Sequence, residues 1–99
     1  MTMINFRRTG GRGKEMSIDF DLNVIPQSSA NHLQNLLTES NFFEIPTISD
    51  LEVGPDEYAY TITVVAGNTL HTVHASDTLM PRSLRPIIEE LTELAEATT

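Results

Sequence analysis

The sequence predicts an α+β domain in the order β-β-α-β-β-α, with a four-stranded, mainly antiparallel sheet and two helices packed on one face. Three observations predict it. Stretches with apolar residues at every second position mark three strands with one buried face, and a turn after the third returns a fourth. Two longer segments carry apolar residues at helical spacing, each opening near a proline. Glycine, proline, asparagine and serine clusters separate these segments at the places where turns are needed. Ninety-nine residues suit a single domain over 1–99, with 97–99 expected to fray.

Thr2 to Thr9 reads as the first strand, with Ile4 and Phe6 on one face and Met3 and Asn5 on the other. Arg7 and Arg8 mark its exposed end. Gly10, Gly11, Arg12, Gly13 and Lys14 follow as a glycine loop. It lacks the spacing and the terminal Lys-Ser/Thr of a phosphate loop, and a strand rather than a helix follows it.

In the second strand Met16, Ile18, Phe20, Leu22 and Val24 share one face, and Ser17, Asp19, Asp21 and Asn23 the other. Asp19 and Asp21 invite comparison with a cation site. Without further ligands, a solvated strand face is the better reading.

A helix is expected from Pro26 to about Glu39, capped by Ser28, Ser29 or the residue before Pro26. Ala30, Leu33, Leu36, Leu37 and Ser40 form its buried stripe, and Asn41 is its stop. Phe42 and Phe43, bordered by Pro46, read as core anchors. Thr47 to Glu57 reads as a hydrated acidic connector, since the oxygen-ligand ladder of a calcium loop is missing.

The chain is organised around Tyr58 to Leu84. Tyr58, Tyr60, Ile62 and Val64 alternate with Ala59, Thr61, Thr63 and Val65. Ala66, Gly67 and Asn68 turn the chain, and Thr69 to Ala75 returns. Ser76, Asp77, Thr78, Leu79, Met80 and Pro81 form a polar connector that holds two apolar residues, Leu79 and Met80. Those two either tuck under the following helix or face a partner. Ser83 is placed to cap the last helix, with Pro86 close to its start. Leu84, Ile87, Ile88, Leu91, Leu94 and Ala95 make its apolar stripe, opposite Glu89, Glu90, Glu93 and Glu96.

Strand order is open. If the first and fourth strands run parallel and adjacent, the glycine loop and the Ser76–Met80 connector share one sheet end and form a composite surface.

Composition narrows the function. The absence of Cys excludes disulfides, thiolate chemistry and zinc-thiolate sites. No signal peptide and no membrane span are evident, so the expected location is the cytoplasm, with unconventional export left open. The formal net charge is −8. Arg7, Arg8, Arg12 and Lys14 lie in the first fourteen residues, and all fourteen acids lie beyond them. The acidic bulk argues against nucleic acid, and the basic loop suits a locally acidic partner or balances charge within the chain. His71 and His74 have opposite strand parity and should face opposite ways, which argues against a shared metal. Neither Asp19 with Asp21 nor His71 with Asp77 supplies a nucleophile, a base and an orienter, so no enzyme is expected.

Several separated segments resemble the emfourin family, proteinaceous inhibitors of protealysin and related thermolysin-like metallopeptidases. They are Phe6 to Gly11, Asn41 to Pro46, Tyr60 to Val64, His71 to Val73, Ser76 with Asp77, Met80 with Pro81, and Leu84 to Pro86. Arg12 departs from a loop place that is often more hydrophobic in the family, and no glycine follows Asp77.

The resemblance implies an inhibitor that occludes the cleft of a zinc metallopeptidase, without a catalytic residue, cofactor or metal of its own; a monomer or weak homodimer is expected. Gly10, Gly11, Arg12, Gly13, Lys14, Ser76, Asp77, Thr78, Leu79 and Met80 are then the docking candidates, with His71 and Arg85 as loop support. Leu79 or Met80 would enter a substrate pocket, and Asp77 would approach the zinc. Arg12 and Lys14 would steer the encounter. An inhibitor inserted like a substrate must also avoid being cut, either off-register or too firmly held. The competing reading is a protein-binding regulatory module or homodimeric adaptor that uses an exposed edge or the second sheet face, at positions such as Val65 and Val73.

Overall fold

The computed structural model describes residues 2–10, 15–46 and 57–98. Its elements are β1 (Thr2–Gly10), β2 (Met16–Asp21), α1 (Gln27–Ser40), a single 3-10 turn (Phe42–Glu44), β3 (Tyr58–Ala66), β4 (Thr69–Ser76) and α2 (Arg85–Thr98). The strands form one antiparallel sheet in the order β2-β1-β3-β4. The fold is therefore α+β, with both helices on one face.

The core follows from strand parity. Ile4 and Phe6 of β1, Ile62 and Val64 of β3 and Val73 and Ala75 of β4 are buried on the helix-covered face. Leu33 and Leu37 of α1 and Ile87, Ile88, Leu91 and Ala95 of α2 close over them. Such side chains contribute roughly 1.5–3 kcal/mol each on burial, which makes the alternating pattern decisive for register.

β1 and β4 are parallel, but they are not adjacent. β3 lies between them and pairs with both. The two loops still leave the same sheet end. Gly10 pairs with Tyr58 and Ser76 pairs with Ala59, so the ends of β1 and β4 flank the start of β3. At about 4.8 Å per strand they stand roughly 10 Å apart.

Other expectations change locally. β2 ends at Asp21, whose Oδ1 accepts the Asn23 N–H at 2.8 Å and whose carbonyl accepts the Val24 and Ile25 N–H groups. This turn cancels the strand parity, and Val24 is 79% exposed instead of sharing the buried face. α1 has no side-chain cap. Pro26 occupies the cap position with φ −53 and ψ 139, and Ser28 and Ser29 already lie inside the helix. Asn41 does end α1, in the left-handed conformation at φ 54.

Phe42 is fully buried, but Phe43 is 41% exposed, so one core anchor is present where two were expected. Val73 pairs with Ile62 beneath the helices and does not belong to the open sheet face. α2 opens after a turn in which the Leu84 N–H donates to the Pro81 carbonyl. Leu84 rather than Ser83 then stands immediately before the helix, and Pro86 is its second residue. No helix among the described residues is long and apolar enough to cross a membrane.

Candidate functional site

The informative end of the sheet is where β3 begins. β4 delivers Ser76, which is completely buried, and the chain then folds back on itself within four residues. The Ser76 N–H donates to the Leu79 carbonyl at 3.1 Å. The Leu79 N–H donates to Ser76 Oγ at 3.0 Å. Residues Ser76 to Leu79 are thus a closed turn. A serine suits this corner because its short side chain reaches back to a nearby backbone group.

Asp77 ties the turn to β3. Its Oδ2 accepts the Tyr58 backbone N–H at 3.0 Å, and its Oδ1 accepts the Tyr60 hydroxyl at 2.8 Å. Both carboxylate oxygens are therefore committed within the chain. Behind this contact the Tyr60 ring is buried and stacks on Phe6 at 6.3 Å with an interplanar angle of 17°. Burial, and then the hydrogen bond to Asp77, push the Tyr60 hydroxyl from 10.0 up to about 12. The Arg8 guanidinium lies 4.5 Å from the Tyr58 ring centroid, a cation–π contact at the same end.

Leu79 and Met80 part company. Leu79 is 56% exposed at the closing corner of the turn. Met80 is half-buried and packs against the core. Thr78 and Asp77 are exposed beside Leu79. Gly10 ends β1 with φ +82, a left-handed conformation that favours glycine, and a Cβ there would lie 3.0 Å from the Glu57 carbonyl oxygen. Gly11, Arg12, Gly13 and Lys14 lie outside the described residues, as do Asp50, Glu52 and Asp56 of the acidic connector.

His71 stands elsewhere. His71 lies near the hairpin end of β4, where it contacts the Ile45 carbonyl and the Phe42 ring instead of the turn. Arg85 is exposed at the first position of α2. His74 faces the opposite side from His71 and meets the Thr61 hydroxyl at 3.2 Å. Asp19 accepts a hydrogen bond from Asn5 on the open face, and no cluster of three potential metal ligands occurs among the described residues. A depression of about 410 Å³ beside Thr2, Leu22, Gln27 and Gln34 lies at the other end of β1, away from the turn.

Arg8, Tyr58 and Tyr60 belong to this site, yet sequence reasoning assigned them only to strands. One signal was available. Tyr60 has core parity but carries a hydroxyl, and a buried tyrosine usually finds a partner for it.

No curated protein and no solved structure matches the chain. One family model does, under the description Emfourin, across residues 6–92. That span includes β1 from Phe6, the Ser76–Leu79 turn and most of α2, and the chain belongs to the emfourin family.

Proposed function

We propose that this protein inhibits a thermolysin-like zinc metallopeptidase by seating the Ser76–Leu79 turn in the enzyme's active-site cleft. Membership of the emfourin family supports a protease-inhibitor role in general, without enzyme activity. The observation that carries the finer reading is Leu79. It is a large apolar side chain, 56% exposed, on a turn whose backbone is hydrogen-bonded at both ends. A preorganised loop loses less conformational entropy on docking than a free peptide, so more of its contact energy appears as affinity. Leu79 is the apolar anchor and Thr78 its neighbour on the rim. The glycine loop that follows β1, with Arg12 and Lys14, contributes cationic steering.

Asp77 fastens the turn to β3. Both of its oxygens already accept hydrogen bonds from β3. These bonds orient the carboxylate against β3, so Asp77 supports the turn.

Titration of a panel of thermolysin-like peptidases with the wild-type protein and with Leu79→Asp tests this reading. Inhibition by the wild type, weakened at least tenfold by the substitution, is the expected result. Full activity of every peptidase in the panel at saturating wild-type protein would overturn the reading.

A second reading rests on one observation. Met3, Val65 and Leu70 form an apolar row across the helix-free face, with Leu70 65% exposed. This row suits a protein-binding module or homodimeric adaptor. Leu70→Lys would abolish such binding while leaving protease inhibition intact.

A further inference from the structure

We propose that the contact of Tyr58 and Tyr60 with Asp77, together with the Ser76–Leu79 closure, is a clamp that lets the turn occupy a peptidase cleft without being cut. The purpose assigned to the clamp rests on the inhibitor reading, but its physical effect does not.

Four hydrogen bonds act on three residues of the turn, Ser76, Asp77 and Leu79. Two close the turn between Ser76 and Leu79, at 3.1 and 3.0 Å. Two fasten its second residue to β3, through Asp77 to the Tyr58 N–H and the Tyr60 hydroxyl. Peptidases generally hold the scissile segment extended, so that its backbone pairs with a strand of the enzyme. Three extended peptide steps span roughly 10 Å, whereas the ends of a tight turn stay within about 7 Å. Extension of Ser76 to Leu79 therefore breaks the closing bonds and pulls Asp77 away from β3. Each bond lowers the open population by roughly fivefold, and bonds within one connected network reinforce one another.

The flanks of the turn are held as well. On the N-terminal side Ser76 is buried and paired with Ala59. On the C-terminal side Met80 packs against the core and Leu84 is fully buried. Hydrolysis adds one water across a peptide bond and leaves a carboxylate and an amine. Here both new ends remain anchored to the same domain. They are poised to lose that water again instead of separating, which favours re-formation of the bond over product release.

Tyr60 is a positioning residue in this scheme. Its hydroxyl acts on Asp77, while its ring belongs to the core. Tyr60→Phe removes the donor and keeps the ring. Ser76→Ala removes the acceptor for the Leu79 N–H. Each variant and the double variant should be incubated with a thermolysin-like peptidase and, separately, with a broad-specificity serine protease, with mass spectrometry locating every cut.

The wild type should stay uncut between Ser76 and Met80. The double variant should be cut there at least tenfold faster by both enzymes, and its inhibition of the metallopeptidase should fade as cleavage proceeds. Amide exchange should accelerate at Leu79 and Tyr58 and stay slow at Ile62 and Val64, showing that the sheet is intact. If the double variant does not fold, Asp77→Asn supplies the same comparison.

Equal cleavage of wild type and variant would overturn the clamp, even if both inhibit. Lack of inhibition by the wild type, with the predicted cleavage by the serine protease, would overturn the inhibitor reading and leave the clamp standing.

Discussion

The Nε2–H of His71 donates to the backbone carbonyl of Ile45 across 2.7 Å, joining β4 to the segment that follows the 3-10 turn. The same imidazole meets the Phe42 ring edge-on, with centroids 5.6 Å apart. This contact requires the tautomer protonated at Nε2. It lies near the hairpin end of β4, away from the Ser76–Leu79 turn. His71→Ala should therefore cost about 2 kcal/mol, from an unsatisfied carbonyl and a lost ring contact. Inhibition measured well below the unfolding transition should change less than twofold. Urea unfolding checks the first figure, and a weakening of inhibition by tenfold would show that His71 supports the turn after all.

Phe42 and Phe43 provide a contrast within one dipeptide. Phe42 is fully buried and makes an edge contact with Phe43 at 5.7 Å, while Phe43 is 41% exposed. Phe42→Ala should destabilise by about 3–5 kcal/mol, the range for removing a core aromatic. Phe43→Ala should cost about 1 kcal/mol, mostly through the lost ring contact. Thermal or urea unfolding of the two variants makes the comparison, and similar losses would contradict the burial difference.

These cases show why some features were legible in the sequence and others were not. Strand faces follow a period of two, so spacing alone puts Ile4 with Phe6, and Ile62 with Val64, on common faces, and those faces are the buried ones. The stripes of α1 and α2 follow the helical period in the same way, and the order of elements came from turn signals between them. Strand order has no such local signature. It depends on which strands pair after the α1 crossover, which is why β3 was not foreseen between β1 and β4.

Residues just past an element end are equally opaque. Phe43 and Val24 look like their buried neighbours, but a turn rotates each toward solvent. The candidate site was half legible. An apolar pair inside a polar connector drew attention to Leu79 and Met80. That one is exposed and the other half-buried is decided by the Ser76 closure, a contact between groups three residues apart whose formation depends on tertiary packing. The attachment of Asp77 to Tyr60 spans 17 positions and leaves no periodic trace.

Gly10 and Gly67 both have positive φ, but their surroundings differ. Gly67 opens the two-residue hairpin turn at φ +61 with no atom within 4 Å of a built Cβ. Gly10, at φ +82, has the Glu57 carbonyl oxygen 3.0 Å from that position. An L-residue in the left-handed region costs about 1–2 kcal/mol on its own. Gly67→Asn should cost less than about 1 kcal/mol, because asparagine tolerates that region and the space is open. Gly10→Asn should cost more, because the Glu57 backbone must also shift. Chemical denaturation of both variants tests the ranking, and equal losses would mean that the Glu57 approach is relieved without cost.

The raised Tyr60 hydroxyl predicts an alkaline limit to stability. Burial, then the hydrogen bond to Asp77, raise it from 10.0 to about 12, so the folded chain holds this proton more tightly than the unfolded chain does. Below about pH 10 both states keep the proton and the stabilisation is complete. Between about pH 10 and 12 the unfolded state releases it first, and stability falls as pH rises. In a Tyr58→Phe background, the tyrosinate absorbance of Tyr60 should titrate near pH 12. Asp77→Asn should move that midpoint down while leaving part of the elevation, since burial is the larger cause. Tyr60→Phe should remove this part of the alkaline loss when its unfolding free energy is compared with the wild type across the same range. A midpoint near 10 with Asp77 intact would mean that the hydroxyl is solvated and that the turn is not fastened to β3 through it.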